Sequence, residues 1–179
     1  MDCDSTEFRP IQAAPRALVI EQMNDARVRR HLPLATGTFD EAAYESFISG
    51  KQAMWSEHGY GPWAFFIGDR YAGWGGLQPD DGEAELALVL CPWAFGYGRL
   101  IAAKVIDWGF RELDLERILI YLPESRSVER FLSRNGCIRD GGVTFDGKVF
   151  TRHCLYVSCY HQVGTKVDNH PADPVSEIP

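Results

Sequence analysis

The sequence predicts an α+β domain: a central mixed, mostly antiparallel sheet of about seven strands, with helices on both faces. Three observations predict it. Short runs rich in Val, Ile, Phe, Trp and Tyr are separated only by tight turns, Gly68-Asp69-Arg70 and Pro79-Asp80-Asp81-Gly82. The third of those runs leads through a glycine turn into a long amphipathic helix and then a further strand. The chain then closes on a hairpin around Asp146-Gly147.

The elements follow in order. FRPIQ (8–12) reads as the first strand. Pro15 suits the first turn of a helix whose apolar face is Leu18, Val19, Gln22 and Met23. NDARVRRHL (24–32) reads as a second short helix, stopped by Pro33. Thr38 and Glu41 have capping-box spacing for a helix to about Glu57, with Ala43, Phe47, Ile48 and Trp55 turned inward. Strands are predicted over 63–67, 71–77 and 85–90. The helix opening at Gly98 carries Ile101, Val105, Ile106, Trp108 and Phe110 and ends near Glu112. Residues 117–122 form the next strand, apolar enough for burial on both faces. Ser125 is placed to cap a helix with the face Val128, Phe131 and Leu132, and Gly136 to end it. Segments 138–145 and 149–160 make the closing hairpin. From Gln162 the chain is polar, with three prolines and no period. Residues 1–161 therefore read as one domain and 162–179 as a flexible tail.

Composition narrows the function. A chain of 179 residues with 45% hydrophobic and 24% charged content has material for one sizeable core. A net charge of −7 argues against a nucleic-acid partner, and Arg27, Arg29, Arg30 and His31 read as a solvated helix end. The polar N-terminus is not a leader peptide, and no apolar run approaches a membrane span, so a cytoplasmic protein without a membrane partner is expected. The five cysteines are odd in number and form no C-x-x-C pair, as reduced thiols would. No histidine pairs with cysteine at ligand spacing, so no metal is expected.

The segment 83–109, EAELALVLCPWAFGYGRLIAAKVIDWG, carries the functional signal. A helix start exposes N–H groups without intrahelical partners, and glycines let an anion approach them. Gly59–Gly61 and Gly73–Gly75 are Gly-x-Gly triplets as well, but only Gly96 and Gly98 stand between an apolar strand and a long helix. A dinucleotide fingerprint fails because Ile101 stands at the third glycine, and a P-loop fails for want of Gly-Lys-Ser/Thr.

Four colinear stretches resemble the GNAT superfamily of acyl-coenzyme A N-acyltransferases, within it the RimJ/RimL-like branch, over roughly residues 8–160. They are FRPI, MNDARVRRHLP, PWAFGYGRLIAA (the family's coenzyme A signature) and PESRSVERFLSRNGC. Departures accompany the match. Arg99 and Leu100 stand where the branch has Tyr-Ala. Ser125 replaces the usual Asn, Val128 the usual Ser, and Cys137 an aromatic. Leu132 stands where many relatives place a Tyr as general acid.

The resemblance implies a three-layer fold whose sheet splays between the fourth and fifth strands. It implies acetyl-CoA as co-substrate, with its pantetheine arm along Leu88, Val89 and Leu90. The pyrophosphate would meet Gly96, Tyr97, Gly98, Arg99 and Leu100, with Ser125 nearby. The acceptor amine would enter from the opposite side. For the catalytic base the resemblance favours Glu85, against a reading of Glu85 as a solvated or ion-paired strand end; Glu83 is second choice. Ser125, Ser127 or water would protonate the leaving thiolate. His153 either lines the acceptor site or is simply buried, and Trp63, Trp74 and Trp93 read as core or cleft wall. Three functions remain open: an N-acetyltransferase acting on a primary amine of a small molecule or protein N-terminus, a degenerate acyl-CoA-binding sensor or scaffold, and a structural protein without cofactor. A homodimer is left open as an assembly.

Overall fold

A computed structural model of the protein describes residues 6–126 and 128–164. Strands β1 (Thr6–Pro10), β2 (Pro62–Ile67), β3 (Arg70–Asp80), β4 (Glu83–Leu90), β5 (Arg117–Pro123), β6 (Ile138–Phe145) and β7 (Lys148–Tyr156) form one sheet in the order β1-β2-β3-β4-β5-β7-β6. All neighbours are antiparallel except β4 and β5. The tight turns force the antiparallel pairs, and the parallel pair needs the long crossover between β4 and β5. The predicted mixed, mostly antiparallel sheet is thus the one observed.

Two cores sit on the two faces. Helices α1 (Arg16–Asn24), α2 (Ala26–Arg29) and α3 (Glu41–His58) cover one, where Val19, Met23, Val28, Tyr44 and Ile48 meet Ala64, Phe66, Trp74 and Val89. Helix α4 (Gly98–Glu112) covers the other. Its Ile101, Ala102, Val105, Ile106, Gly109 and Phe110 recur at helical spacing and are all buried. Each such Ile or Val contributes about 1.5–3 kcal/mol by leaving water. Asn24 ties the end of α1 to the approach to α3, donating to the Phe39 carbonyl at 2.7 Å and accepting from the Phe39 N–H at 3.0 Å.

Several local expectations change: the first strand covers Thr6–Pro10, and Ile11 and Gln12 belong to a 3₁₀ turn, Ile11–Ala13. Leu18 is 42% exposed, while Val19, Gln22 and Met23 are buried, so the apolar face of α1 excludes it. Asp40, not Thr38, caps α3, accepting from the Ala43 N–H at 2.9 Å. The helix begins at Glu41, which leaves Thr38 too far out, and Glu41 pairs with Arg16 at 2.8 Å. Helix α5 (Glu129–Arg134) follows Val128 with no side-chain cap, so Ser125 lies outside it. The closing strand stops at Tyr156, and helix α6 (Val157–Gly164) replaces its expected continuation to Tyr160. Tyr156 pairs with Arg117, the first residue of β5, and only one further backbone bond follows, from the Val157 N–H to the Glu116 carbonyl at 3.0 Å. Val157 and Tyr160, three apart, turn instead onto the α4 core, with the Tyr160 ring 5.3 Å from Phe110. Helix α6 runs to Gly164, inside the segment assigned to the tail; residues 165–179, like Ser127, lie outside the described residues.

Glycines let β3 and β4 approach closely. At Gly73 and Gly75 φ is +143° and +156°, and a Cβ would stand 2.3 Å from the Val89 and Ala87 carbonyl oxygens. No L side chain fits that space.

Candidate active site

The sheet opens between β4 and β5. Their only register pair is Glu85 with Leu119, near the start of both strands. Beyond it the two strands separate, leaving backbone groups of β4 facing a gap. Which groups do so follows from the antiparallel ladder with β3. The Cys91 N–H donates to the Ala72 carbonyl at 2.8 Å, and the register then pairs Val89 with Trp74 and Ala87 with Gly76. Bonded pairs alternate, so Val89 and Ala87 turn their backbone groups to β3. Leu88 and Leu90 turn theirs into the gap.

A chamber of about 520 Å³ fills the gap. Glu85 to Val89 form one wall and Ile120 to Pro123 the other, with Gly98, Arg99 and Ala102 of α4 and Phe131 and Leu132 of α5 along one side. Leu132 is buried and apolar here, so it supplies no proton donor. Near Leu88 and Leu90 a second, narrow crevice of about 10 Å³ lies under His31 and Arg126.

One end of the chamber is polar. Glu85 lines it together with Gln78 and Asp80. The Tyr121 hydroxyl donates to Asp80 Oδ2 at 2.7 Å. That contact and burial push the Tyr121 phenol up to about 12, burial being the larger cause. Lys51 of α3 donates to Gln78 Oε1 and lies 5.3 Å from the Trp74 ring centre. Burial raises the Glu85 carboxyl above its ordinary value, the Asp80 charge adds to this, and Lys51 opposes it. Burial lowers the Lys51 ammonium, against the pull of Glu85. A carboxylate whose proton affinity is raised by its surroundings is a better proton acceptor near neutral pH than a solvated one.

Glu83 differs. Arg117 Nε donates to its Oε2 at 2.9 Å, and this hydrogen bond holds its carboxyl below the usual range. It does not line the chamber. His153 is buried within β7, opposite Ile120 and Arg139, and is no part of the chamber wall. Trp63 packs edge-on in the core against Trp55 and Trp108, with ring centroids 5.1 and 4.6 Å away. Trp93 lies under Arg70, whose guanidinium is 4.1 Å from its ring centre. Of the three tryptophans singled out, Trp74 alone lines the chamber.

The glycine segment is not a free turn. Pro92–Tyr97 form a 3₁₀ helix that runs straight into α4, and the Gly98 N–H donates to the Phe95 carbonyl. Tyr97 at the start of α4 gives no side-chain cap, so the first N–H groups inside the helix, from Arg99 on, lack one. A Cβ on Gly96 would meet nothing within 4 Å, and one on Gly98 only Leu90 Cδ1 at 3.4 Å. Arg99 adds a cation 4.9 Å over the Phe131 ring, and Leu100 is half-buried behind it. An uncapped helix start, an open approach and an arginine fit a phosphate group. They offer fewer backbone donors than a glycine turn would, because the Gly98 amide is already bonded.

Ser125 sits at the exposed rim, after β5. Strand β5 runs from Leu119, level with Glu85, to Pro123 before that rim, about 13 Å at strand rise. Ser125 and Glu85 are therefore not gathered at one point. The Ser125 hydroxyl instead meets His31 Nδ1 at 3.0 Å, across the mouth of the gap. Burial, then the charges of Arg126 and Arg30, lower the His31 imidazole below its ordinary value. Burial also lowers the half-buried Arg126 guanidinium. Sequence patterns do not single out His31, Arg126, Asp80, Tyr121 or Lys51 as site residues. No spacing rule links a residue of the α2 end to one 94 positions later; only the closed sheet does.

No helix of the described residues is long and apolar enough to cross a membrane, and no group of three or more His, Cys, Asp or Glu side chains among them is placed to hold a metal.

Residues 6–138 match the family model described as an acetyltransferase (GNAT) domain. The acetyltransferase from Agrobacterium tumefaciens str. C58 superposes with a TM-score of 0.70 at 20% identity, over 87% of this chain and 93% of that one. The spermidine N-acetyltransferase from Vibrio cholerae, solved with CoA and spermine, gives 0.70 at 13% identity, over 88% and 98%. The GNAT-family acetyltransferase from Bacillus anthracis gives 0.66 at 17% identity, over 87% and 97%. At these identities the likeness is one of fold.

Proposed function

The chain belongs to the GNAT acetyltransferase family, and from that premise we propose that it transfers an acetyl group from acetyl-CoA to a primary amine, of a small molecule or of a protein N-terminus, within a ternary complex. The observation that carries this reading is the chamber between β4 and β5, polar at the Glu85 end and bordered by an uncapped helix start. The colinear motifs support the RimJ/RimL-like branch. Two carboxylates, Glu85 and Asp80, against the cation Lys51, with Tyr121 and Trp74 beside them, favour a cationic amine, as spermine is in the V. cholerae enzyme.

The roles divide along β4. Acetyl-CoA supplies the activated acyl group. Leu88 and Leu90 offer backbone donors and acceptors to its arm, with Val89 between them. Arg99, Leu100 and the amides at the start of α4 face the pyrophosphate, beside Gly96, Tyr97 and Gly98. Glu85 takes a proton from the incoming amine, directly or through one water, since an alkylamine is mostly protonated at pH 7. Ser125, at the rim, holds the arm in place rather than sharing the proton transfer with Glu85. Water then protonates the thiolate, because Leu132 has no proton to give.

Leu132 also favours a second reading, an acyl-CoA-binding module without turnover. One experiment separates the two. Acetyl-CoA at about 100 times its dissociation constant stabilises a binding protein by roughly 2.7 kcal/mol. A rise in melting temperature together with thiol release on adding spermidine, other amines or N-terminal peptides supports the enzyme. A rise without thiol release supports the module, and no rise at millimolar ligand refutes both.

A further inference from the structure

We propose that Gln22 is a positioning residue for the acyl-donor arm, acting through the Val89–Leu90 peptide; this rests on the acyl-CoA reading above. Gln22 is 3% exposed, on a helix otherwise read as core packing. Its Nε2 donates to the Val89 carbonyl at 2.9 Å, and its Oε1 accepts from the Tyr71 hydroxyl at 2.8 Å. Only this amide orientation serves the Val89 contact, since a carbonyl oxygen cannot donate to another. Tyr71 is itself 2% exposed, so the chain Tyr71–Gln22–Val89 is buried throughout.

A buried amide bonded to two fixed partners has few ways to move. The Val89 carbonyl faces β3, where Gly73 leaves room for it: a Cβ there would be 2.3 Å away. The trans peptide is planar, so the Leu90 N–H must point the opposite way, into the gap. The Trp74 partner in β3 already turns this carbonyl that way, and Gln22 adds a second donor to it, so the aim of the N–H is fixed from two sides. No β5 residue is in register to take that N–H, because β5 pairs with β4 only at Glu85.

Position along the strand says what the N–H is for. Leu90 lies five residues beyond Glu85, about 16 Å at strand rise. Its side chain is 3.4 Å from where a Gly98 Cβ would stand. It is therefore near the phosphate end of the site and far from the reacting end. The Leu90 N–H serves an amide oxygen of the arm, and Gln22 affects donor binding rather than chemistry.

Titration calorimetry with two ligands tests this: coenzyme A, and 3′-phospho-ADP, which is coenzyme A without the arm. Gln22→Leu should weaken coenzyme A about tenfold and leave 3′-phospho-ADP within twofold. The KM for acetyl-CoA should rise with kcat within threefold. Because Gln22→Leu leaves the Tyr71 hydroxyl unpaired, the double variant Gln22→Leu/Tyr71→Phe is measured too. It removes both polar partners, which protects folding, and should show the same ligand discrimination. Equal losses for both ligands, or no loss for either, overturn the assignment while the acyl-CoA reading stands. Wild-type protein that binds neither ligand overturns both.

Discussion

Replacing Glu85 by Gln removes a proton acceptor and changes almost nothing in shape. The structure makes the expected consequences unusual, because activity and stability should move in opposite directions. Burial and the Asp80 charge raise the folded-state pKa of Glu85 above its ordinary value, with Lys51 only partly offsetting them. Through the window between the unfolded and folded pKa values the folded protein holds more of this proton than the unfolded chain does. Stability from this group is thus fully present below the unfolded pKa and is lost as pH rises through the folded one. At pH 7 the ionised Glu85 is a cost, and Glu85→Gln removes it. The melting temperature at pH 7 should rise, and the difference should vanish near pH 4. Turnover at neutral pH should fall by about 10²–10⁴-fold, the usual worth of a positioned base. Coenzyme A release, followed with a thiol reagent from pH 5 to 10, checks it. The acid limb of kcat/KM should lie above the range of a solvated carboxylate in wild type and disappear in the variant, with partial recovery at high pH where the amine is already neutral. Glu83→Gln, at a carboxylate already held by Arg117, should leave the limb in place. Turnover of Glu85→Gln within threefold of wild type with an unchanged limb would refute the assignment.

Three further outcomes are expected. Asp80→Asn removes a charge that raises the Glu85 pKa, so the acid limb should move to lower pH, and the KM of a cationic acceptor should rise while coenzyme A affinity holds in calorimetry. Gly98→Asp places a charge where only Leu90 Cδ1 is near and should weaken coenzyme A by more than tenfold, about 1.4 kcal/mol. The matched control is Gly50→Asp on α3, where a Cβ meets nothing within 4 Å; Gly75→Asp is no control, since it would drive into the Ala87 carbonyl. Ending the chain at Gly164 should leave melting temperature and coenzyme A affinity unchanged, as measured by thermal shift and titration.

What was legible in the sequence was what local rules encode. Short apolar runs and tight turns located β2 to β5, and the spacing of Ile101, Val105 and Phe110 located α4. The failures share one cause. Whether 157–160 continue a strand depends on whether a neighbour remains to pair with, and β5 begins only at Arg117, the partner of Tyr156, with a single backbone bond to Glu116 beyond it. Thr38 and Asp40 compete for one cap, and the helix start decides between them. The site divided in the same way. Glu85 and the start of α4 lie in one continuous segment, and both border the chamber. By sequence Asp80 belongs to the Pro79–Gly82 turn, whereas β3 carries it onto the chamber wall. His31, Gln22 and Tyr121 acquire their partners only when distant segments meet.

The glycines of β3 have a bearing on how this protein would look in a saturation mutagenesis experiment. Gly73, Gly75 and Gly76 each hold φ between +143° and +156° and press against neighbouring backbone, whereas Gly96 has open space around it. Ranked by intolerance to substitution, the β3 triplet would stand at the top, and Gly96 would pass nearly unnoticed unless the selection required ligand. A functional map drawn from fitness alone would therefore centre on the seam between two strands. The glycine nearest the proposed phosphate site would appear only when survival is scored against catalysis, so the difference between two such scans, one for folding and one for activity, is the map that carries functional information.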